Sequence, residues 1–186
     1  MYPPRPMKDF DRLSSLYAAR VATHDLLRPG YKLAWDALSA AILSRGGQLV
    51  VPPTEPEPQI DDMVDNLADW PADPVVLRRG TNNACHANSA NAWCRGEVES
   101  MATGYALSND DLWRQHTWAI TAAGVIVEST GARLAYVGVP LAGVDALRFA
   151  FANADQGTLE ATLRSGGPIT ALALANPPPP QQLVRH

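Results

Sequence analysis

Apolar residues open the chain at helical spacing. Phe10, Leu13, Tyr17 and Val21 recur three or four positions apart, which predicts an amphipathic helix with Asp9 or Asp11 available to cap its start. Pro29-Gly30 interrupts that run, and Tyr31, Trp35, Leu38 and Ile42 then mark one face of a second helix that Gly46-Gly47 stops. Both stripes are expected to form core. Gln48 to Val51 predicts a short strand. Pro52 to Pro58 (PPTEPEP) is acidic and proline-rich and predicts an extended surface linker. Ile60, Met63, Val64 and Leu67 predict a short helix. Asp61, Asp62, Asp65 and Asp69 fall mostly on its other face. They read as a solvated face, because no glycine-containing calcium loop accompanies them.

Beyond Val75 to Leu77 comes a polar, turn-forming loop, Arg78-Arg79-Gly80-Thr81-Asn82-Asn83. It leads to a helical stretch from Cys85 to about Arg95-Gly96. Strands are expected to follow the helix. Val98 to Leu107, Leu112 to Ile120, Gly124 to Thr130 and Leu134 to Val139 are candidate strands, with a turn at Ser108-Asn109-Asp110-Asp111. Their short spacing predicts an antiparallel meander. Val144 to Ala152 and Thr158 to Arg164 predict two further helices, the second stopped by Gly166-Gly167. The pattern is that of an α+β fold, with N-terminal helices and a cysteine-bearing helix packed on an antiparallel β-meander. The expected organisation is one domain over residues 1–175 and a proline-rich tail, 176–186, that is extended or disordered. No internal repeat is visible.

Composition narrows the function classes. The chain has 186 residues, 46% of them apolar, and a formal net charge of −4. That suits one globular domain with its own core. No basic stripe favours nucleic acid, and no apolar run has the length of a membrane span. The segment MYPPRPMKDF lacks the apolar stretch of a secretory signal, so a cytoplasmic location with reduced thiols is expected. Cys85 and Cys94 on one helix would be separated by a rise of about 13 Å. A disulfide needs Cα atoms within about 7 Å, so these two should not pair.

Candidate chemistry gathers around Cys85. It opens the helical run CHANSANAW, His116 follows in the strand-like RQHTWAI, and Glu128 in GVIVEST. A cysteine attacks as its thiolate, and a helix N-terminus favours negative charge. Cys94, at the other end of that helix, lacks this advantage and reads as structural. His86 adjoins Cys85 and does not share its face, which makes it a poor base for that thiol. Folding the two strands around Thr121-Ala122-Ala123 sets Ile120 opposite Gly124, Trp118 opposite Ile126 and His116 opposite Glu128. The match requires an odd loop length. A thiol, an imidazole and a carboxylate so arranged are the nucleophile, base and orienter of covalent catalysis.

The order of cysteine on a helix, H-x-W on a strand and an acid on a further strand resembles the transglutaminase-like and papain-like thiol enzymes. The pieces here are Cys85, His116-Thr117-Trp118 and Val127-Glu128-Ser129-Thr130. The pattern also resembles uncharacterised bacterial proteins of that superfamily, through Cys85 with Asn88, Gly104-Tyr105-Ala106, and Tyr136-Val137-Gly138-Val139. The resemblance spans roughly residues 80 to 140. It departs from the usual pattern in having Glu128 for Asp or Asn, no proline after it, and Arg79, Gly80, Asn82 and Asn83 where papain-type enzymes place a glutamine. It implies acyl-thioester chemistry on a peptide, protein or small amide, with Cys85, His116 and Glu128 catalytic. Asn82 or Asn83, with Asn83 the candidate taken forward, would be an oxyanion donor, and Asn88, Tyr105, Trp113 and Trp118 further substrate-binding residues. No cofactor and no metal is expected, and neither a nucleic acid nor a membrane partner. The oligomeric state is not legible. Two alternatives stay open: a catalytically inactive papain-like binding domain, and an effector-like deamidase or acyltransferase acting on a partner protein.

Overall fold

A computed structural model describes residues 9–166 and 168–176. Among the described residues there are seven helices and seven strands, so the α+β class holds. The expected tail lies almost wholly outside the described residues. No helix among those described is long and apolar enough to cross a membrane.

The chain gathers into two compact units. One takes residues 9–74, 103–117 and 131–139, and the other 75–102, 118–130 and the described part of 140–176.

The first unit begins with helices α1 (Phe10–Leu27) and α2 (Tyr31–Leu43). The α2 stripe is core as expected, with Tyr31, Trp35, Leu38 and Ile42 all buried. The α1 stripe is buried only at Val21. Phe10 remains 39% exposed, and His24 takes the next inward place. Strand β1 (Leu49–Val50) follows, then α3 (Ile60–Asn66) and β2 (Ala68–Trp70). Ile60 and Met63 are fully buried, as the period predicts. These residues join Tyr105, Leu107, Trp113, Val137 and Val139 in one apolar core. Each such side chain removed from water contributes about 1.5–3 kcal/mol.

The segment 52–58 is not a surface linker. Arg20 Nη1 donates to Pro52 O at 2.8 Å, His24 Nε2 to Pro53 O at 3.0 Å, and Arg28 Nη1 to Glu57 O at 3.0 Å. Arg20 and His24 stand four residues apart on one face of α1, and Arg28 is the residue that ends the helix. The Glu57 side chain is buried, and its carboxylate accepts from Gln115 Nε2 at 2.7 Å. Prolines lack N–H groups, so they cannot donate to a sheet ladder, but their carbonyls still accept from side chains. Composition alone shows the first property and not the second.

The second unit contains β3 (Val75–Leu77), α4 (Cys85–Cys94), β6 (Ile126–Glu128), α5 (Gly143–Asn153), α6 (Gln156–Ser165) and α7 (Pro168–Ala175). Its core gathers Trp93, Cys94, Val98, Met101, Ala119, Val127 and Leu141 with Ala146 and Ala150 of α5. Strands β4 (Ser100–Leu107), β5 (Leu112–Ile120) and β7 (Ala135–Leu141) contribute residues to both units.

The sheet is not the antiparallel meander that strand spacing predicts. Its order is β2-β7-β4-β5-β6-β3, with β1 pairing β5 off that path. β1 runs parallel to β5, and β3 runs parallel to β6. β7 lies beside β4 rather than beside β6, because β3 already occupies that edge of β6. Two- and three-residue strands such as β1 and β3 carry too little pattern to declare a partner.

Candidate functional site

Cys85 is the first residue of α4 and is half-buried. The turn before it is built locally. Asn83 takes the left-handed conformation (φ 58°), which asparagine tolerates, and Ala84 N donates to Thr81 O. No side chain caps the helix start. The placement at a helix start that the sequence predicts is therefore present. Cys94, at the other end, is buried, and burial pushes its thiol up. Thr162 Oγ1 donates to its carbonyl at 3.0 Å, and the residue belongs to the core. His86 packs edge-on against Phe149 of α5, with ring centroids 5.6 Å apart.

Asn88 lies one turn along α4 from Cys85 and fastens the preceding loop. Its Oδ1 accepts from Thr81 N at 3.1 Å, and its Nδ2 donates to Thr81 O at 2.8 Å and to Ser129 Oγ at 3.3 Å. The loop is also tied to the sheet. Arg78 N donates to Glu128 O, and Gly80 N to Ser129 O, which extends the parallel β3–β6 pairing. A Cβ on Gly80 would come within 2.5 Å of Asn88 Cγ, so only glycine allows the amide this close.

Glu128 ends β6 with its side chain fully buried. Its Oε1 accepts from Thr130 N at 2.8 Å and from Thr130 Oγ1 at 3.0 Å, which fixes the carboxylate. The register expected of the hairpin is corrected here. Ile120 pairs with Ile126 and Ala119 with Val127, so the next position on β5, opposite Glu128, is Trp118 and not His116. The reason is the turn. Thr121 N donates to Val125 O and Gly124 N to Thr121 O, with Gly124 at φ 75°. The loop closes over residues 121–125 instead of 121–123. It keeps an odd length and shifts the pairing by two.

His116, on β5, is 2% exposed. Its ring is tilted 33° against Tyr136 on β7, with centroids 6.2 Å apart. The neighbouring Thr117 Oγ1 donates to Thr103 Oγ1 at 3.2 Å. The three aromatic candidates are fully closed from solvent. Trp113 donates its Nε1 proton to Gly46 O at 2.8 Å and belongs to the first unit's core. Trp118 is equally buried. Tyr105 packs on Trp35 at a centroid distance of 6.1 Å. Burial, with Glu57 and Tyr31 nearby, holds its phenol well above the usual value.

A second feature of this chain was not visible in the sequence. In the second unit a cavity of about 290 Å³ opens between α4 and the 78–81 loop. Arg78, Arg79 and Arg95 line it. The dipeptide at 78–79 reads as loop and Arg95 as a helix end, so nothing in the linear pattern associates them.

No family model matches this chain, and no curated protein or solved structure matches it.

Proposed function

We propose that the chain is a cysteine-nucleophile enzyme of the transglutaminase-like and papain-like kind. Cys85 is the nucleophile, His116 its base and Glu128 the orienter of the imidazole. The observation that carries this reading is the asymmetry of the two thiols along α4. Cys85 stands half-buried at the helix start, where unpaired N–H groups favour a thiolate. Cys94 is buried at the far end, with its thiol pushed up. The anchored carboxylate of Glu128 supports the orienting role, because a buried acid held by two donors has a fixed direction in which to accept. The succession of α4 by β4, β5 and β6, with β5 and β6 antiparallel, supports a papain-like or transglutaminase-like core.

In this mechanism His116 accepts the Cys85 proton, and the sulfur attacks the carbonyl carbon of an amide. The C–N bond breaks and the amine leaves with the proton from His116. Water, or a second amine, then releases the acyl group and restores the thiol. Backbone N–H groups at the α4 start hold the developing oxyanion, with Asn83 as a side-chain donor.

The test is alkylation by limiting iodoacetamide at pH 7, read residue by residue by mass spectrometry. Cys85 is expected to label about tenfold or more faster than Cys94, and His116→Ala and Glu128→Gln are expected to slow Cys85 alone. Equal, slow labelling of both cysteines, indifferent to His116→Ala, would refute an activated thiol.

A further inference from the structure

We propose that the cavity between α4 and the 78–81 loop is a binding site for a small organic anion bearing a carboxylate or a phosphate. This inference does not rest on Cys85 acting as a nucleophile.

The cavity measures about 290 Å³, at the small end of the range for ligand pockets. Its apolar side chains are Ala92, Ala119 and Val127, and apart from Gly80 the other lining residues are polar or charged. Three arginines, Arg78, Arg79 and Arg95, and two acidic residues, Glu97 and Asp155, line it. Three cations against two anions leave one positive charge over, on a chain whose formal net charge is −4.

The pairing within the cavity shows which arginine lacks a carboxylate partner. Arg95 Nε donates to Glu97 Oε1 at 2.6 Å, and Arg78 Nη1 approaches Glu97 Oε2 at 3.5 Å. Arg95 chiefly holds the Glu97 carboxyl below its ordinary range, so Glu97 is an anion at neutral pH. Asp155 is engaged by Asn91, whose Nδ2 donates to Asp155 Oδ2 at 2.7 Å while Asp155 N donates to Asn91 Oδ1 at 2.9 Å. Arg79 has no hydrogen-bond or ion-pair partner among the described residues. Arg78 and Arg95 share the one Glu97 carboxylate, and the Arg79 charge meets no carboxylate among the described residues.

The mount of Arg79 is rigid. Its two neighbours in the chain, Arg78 and Gly80, both donate backbone N–H groups to the sheet, and Asn88 clamps Thr81 from both sides. The loop therefore loses little freedom on binding, and a guanidinium offers a forked donor pair suited to planar carboxylates and to phosphates. The small lining side chains leave room for a short carbon body behind the anionic group.

The experiment titrates the full chain with inorganic phosphate, glutarate and glutaramide, the last a neutral match for the second, and follows binding by calorimetry or protein NMR. Phosphate, glutarate or both are expected to bind saturably at millimolar or lower concentration, and glutaramide is not. Which anion binds separates the phosphate class from the carboxylate class. Arg79→Ala removes an exposed side chain with no partners, so the fold is retained. It is expected to weaken binding at least about fivefold, or ~1 kcal/mol. Arg148→Ala, a change to an exposed arginine of α5 paired with Asp145, is expected to leave binding unchanged. The proposal is overturned if neither anion saturates, if glutaramide binds as well as glutarate, or if Arg79→Ala and Arg148→Ala act alike.

Discussion

The contact between Gly80 and Asn88 makes a quantitative prediction about the loop that follows β3. Asn88 makes three hydrogen bonds, two to Thr81 and one to Ser129. A net value of about 1 kcal/mol for each, discounted for partial exposure of the amide, gives about 2 kcal/mol lost in Asn88→Ala. In Gly80→Ala the new methyl would meet Asn88 Cγ at 2.5 Å and its Oδ1 at 2.6 Å. Gly80 has no positive φ, so the backbone accepts alanine and the clash is the only cost. Either the amide swings away and gives up its bonds, or the loop lifts off. Both cost about 2 kcal/mol, the worth of what is displaced. Once Asn88 is alanine there is nothing left to displace. Gly80→Ala should therefore cost about 2 kcal/mol in the natural chain and close to nothing in Asn88→Ala, a coupling of about 2 kcal/mol. Urea unfolding of the four proteins, compared at constant m, measures it. Additivity of the two substitutions to within about 0.5 kcal/mol would refute the argument. The loop carries Arg78 and Arg79, so Gly80→Ala should also weaken anion binding.

Two further outcomes test the first unit. Burial raises the Glu57 carboxyl above its ordinary value of 4.5, although Gln59, Gln115 and Arg28 pull it down. Its contribution to stability is thus fully present below pH 4.5 and is lost as the pH rises through the raised folded value. The difference in urea stability between the natural chain and Glu57→Gln should accordingly change over that interval, and a pH-independent difference would show that Glu57 is not proton-linked to folding. In Gly104→Ala, a Cβ on β4 would collide with the backbone of Val137 and Gly138 on β7, which cannot yield as a side-chain end does. The expected loss is about 3 kcal/mol or more, read by chemical denaturation, and a near-neutral result would place β4 and β7 further apart.

Much of the fold was legible because its signals are local. The stripe of Tyr31, Trp35, Leu38 and Ile42 identified α2, and the strand expected from Leu112 to Ile120 is β5. Cys85 at the start of α4 and Cys94 at its end followed from the same reasoning, since a helix end is written in the residues that flank it. The proline-rich run was misread because its partners, Arg20, His24 and Arg28, lie far away in sequence. The hairpin was right in parity and wrong by two in register, because turn length depends on how Thr121 and Gly124 close the loop.

The sequence by itself determined the elements other than β2, β3 and α7, the burial of the α2 face, and the presence of one thiol at a helix start and one at its end. These depend on period and flanking residues, which act over a few positions. Tertiary structure decided that β3 runs parallel to β6, that Glu57 is buried against Gln115, and that three arginines from two separate segments share one cavity. Such outcomes arise from pairing between distant segments, where each hydrogen bond or charge finds its partner only after the chain has closed. No pattern along the chain carries that information.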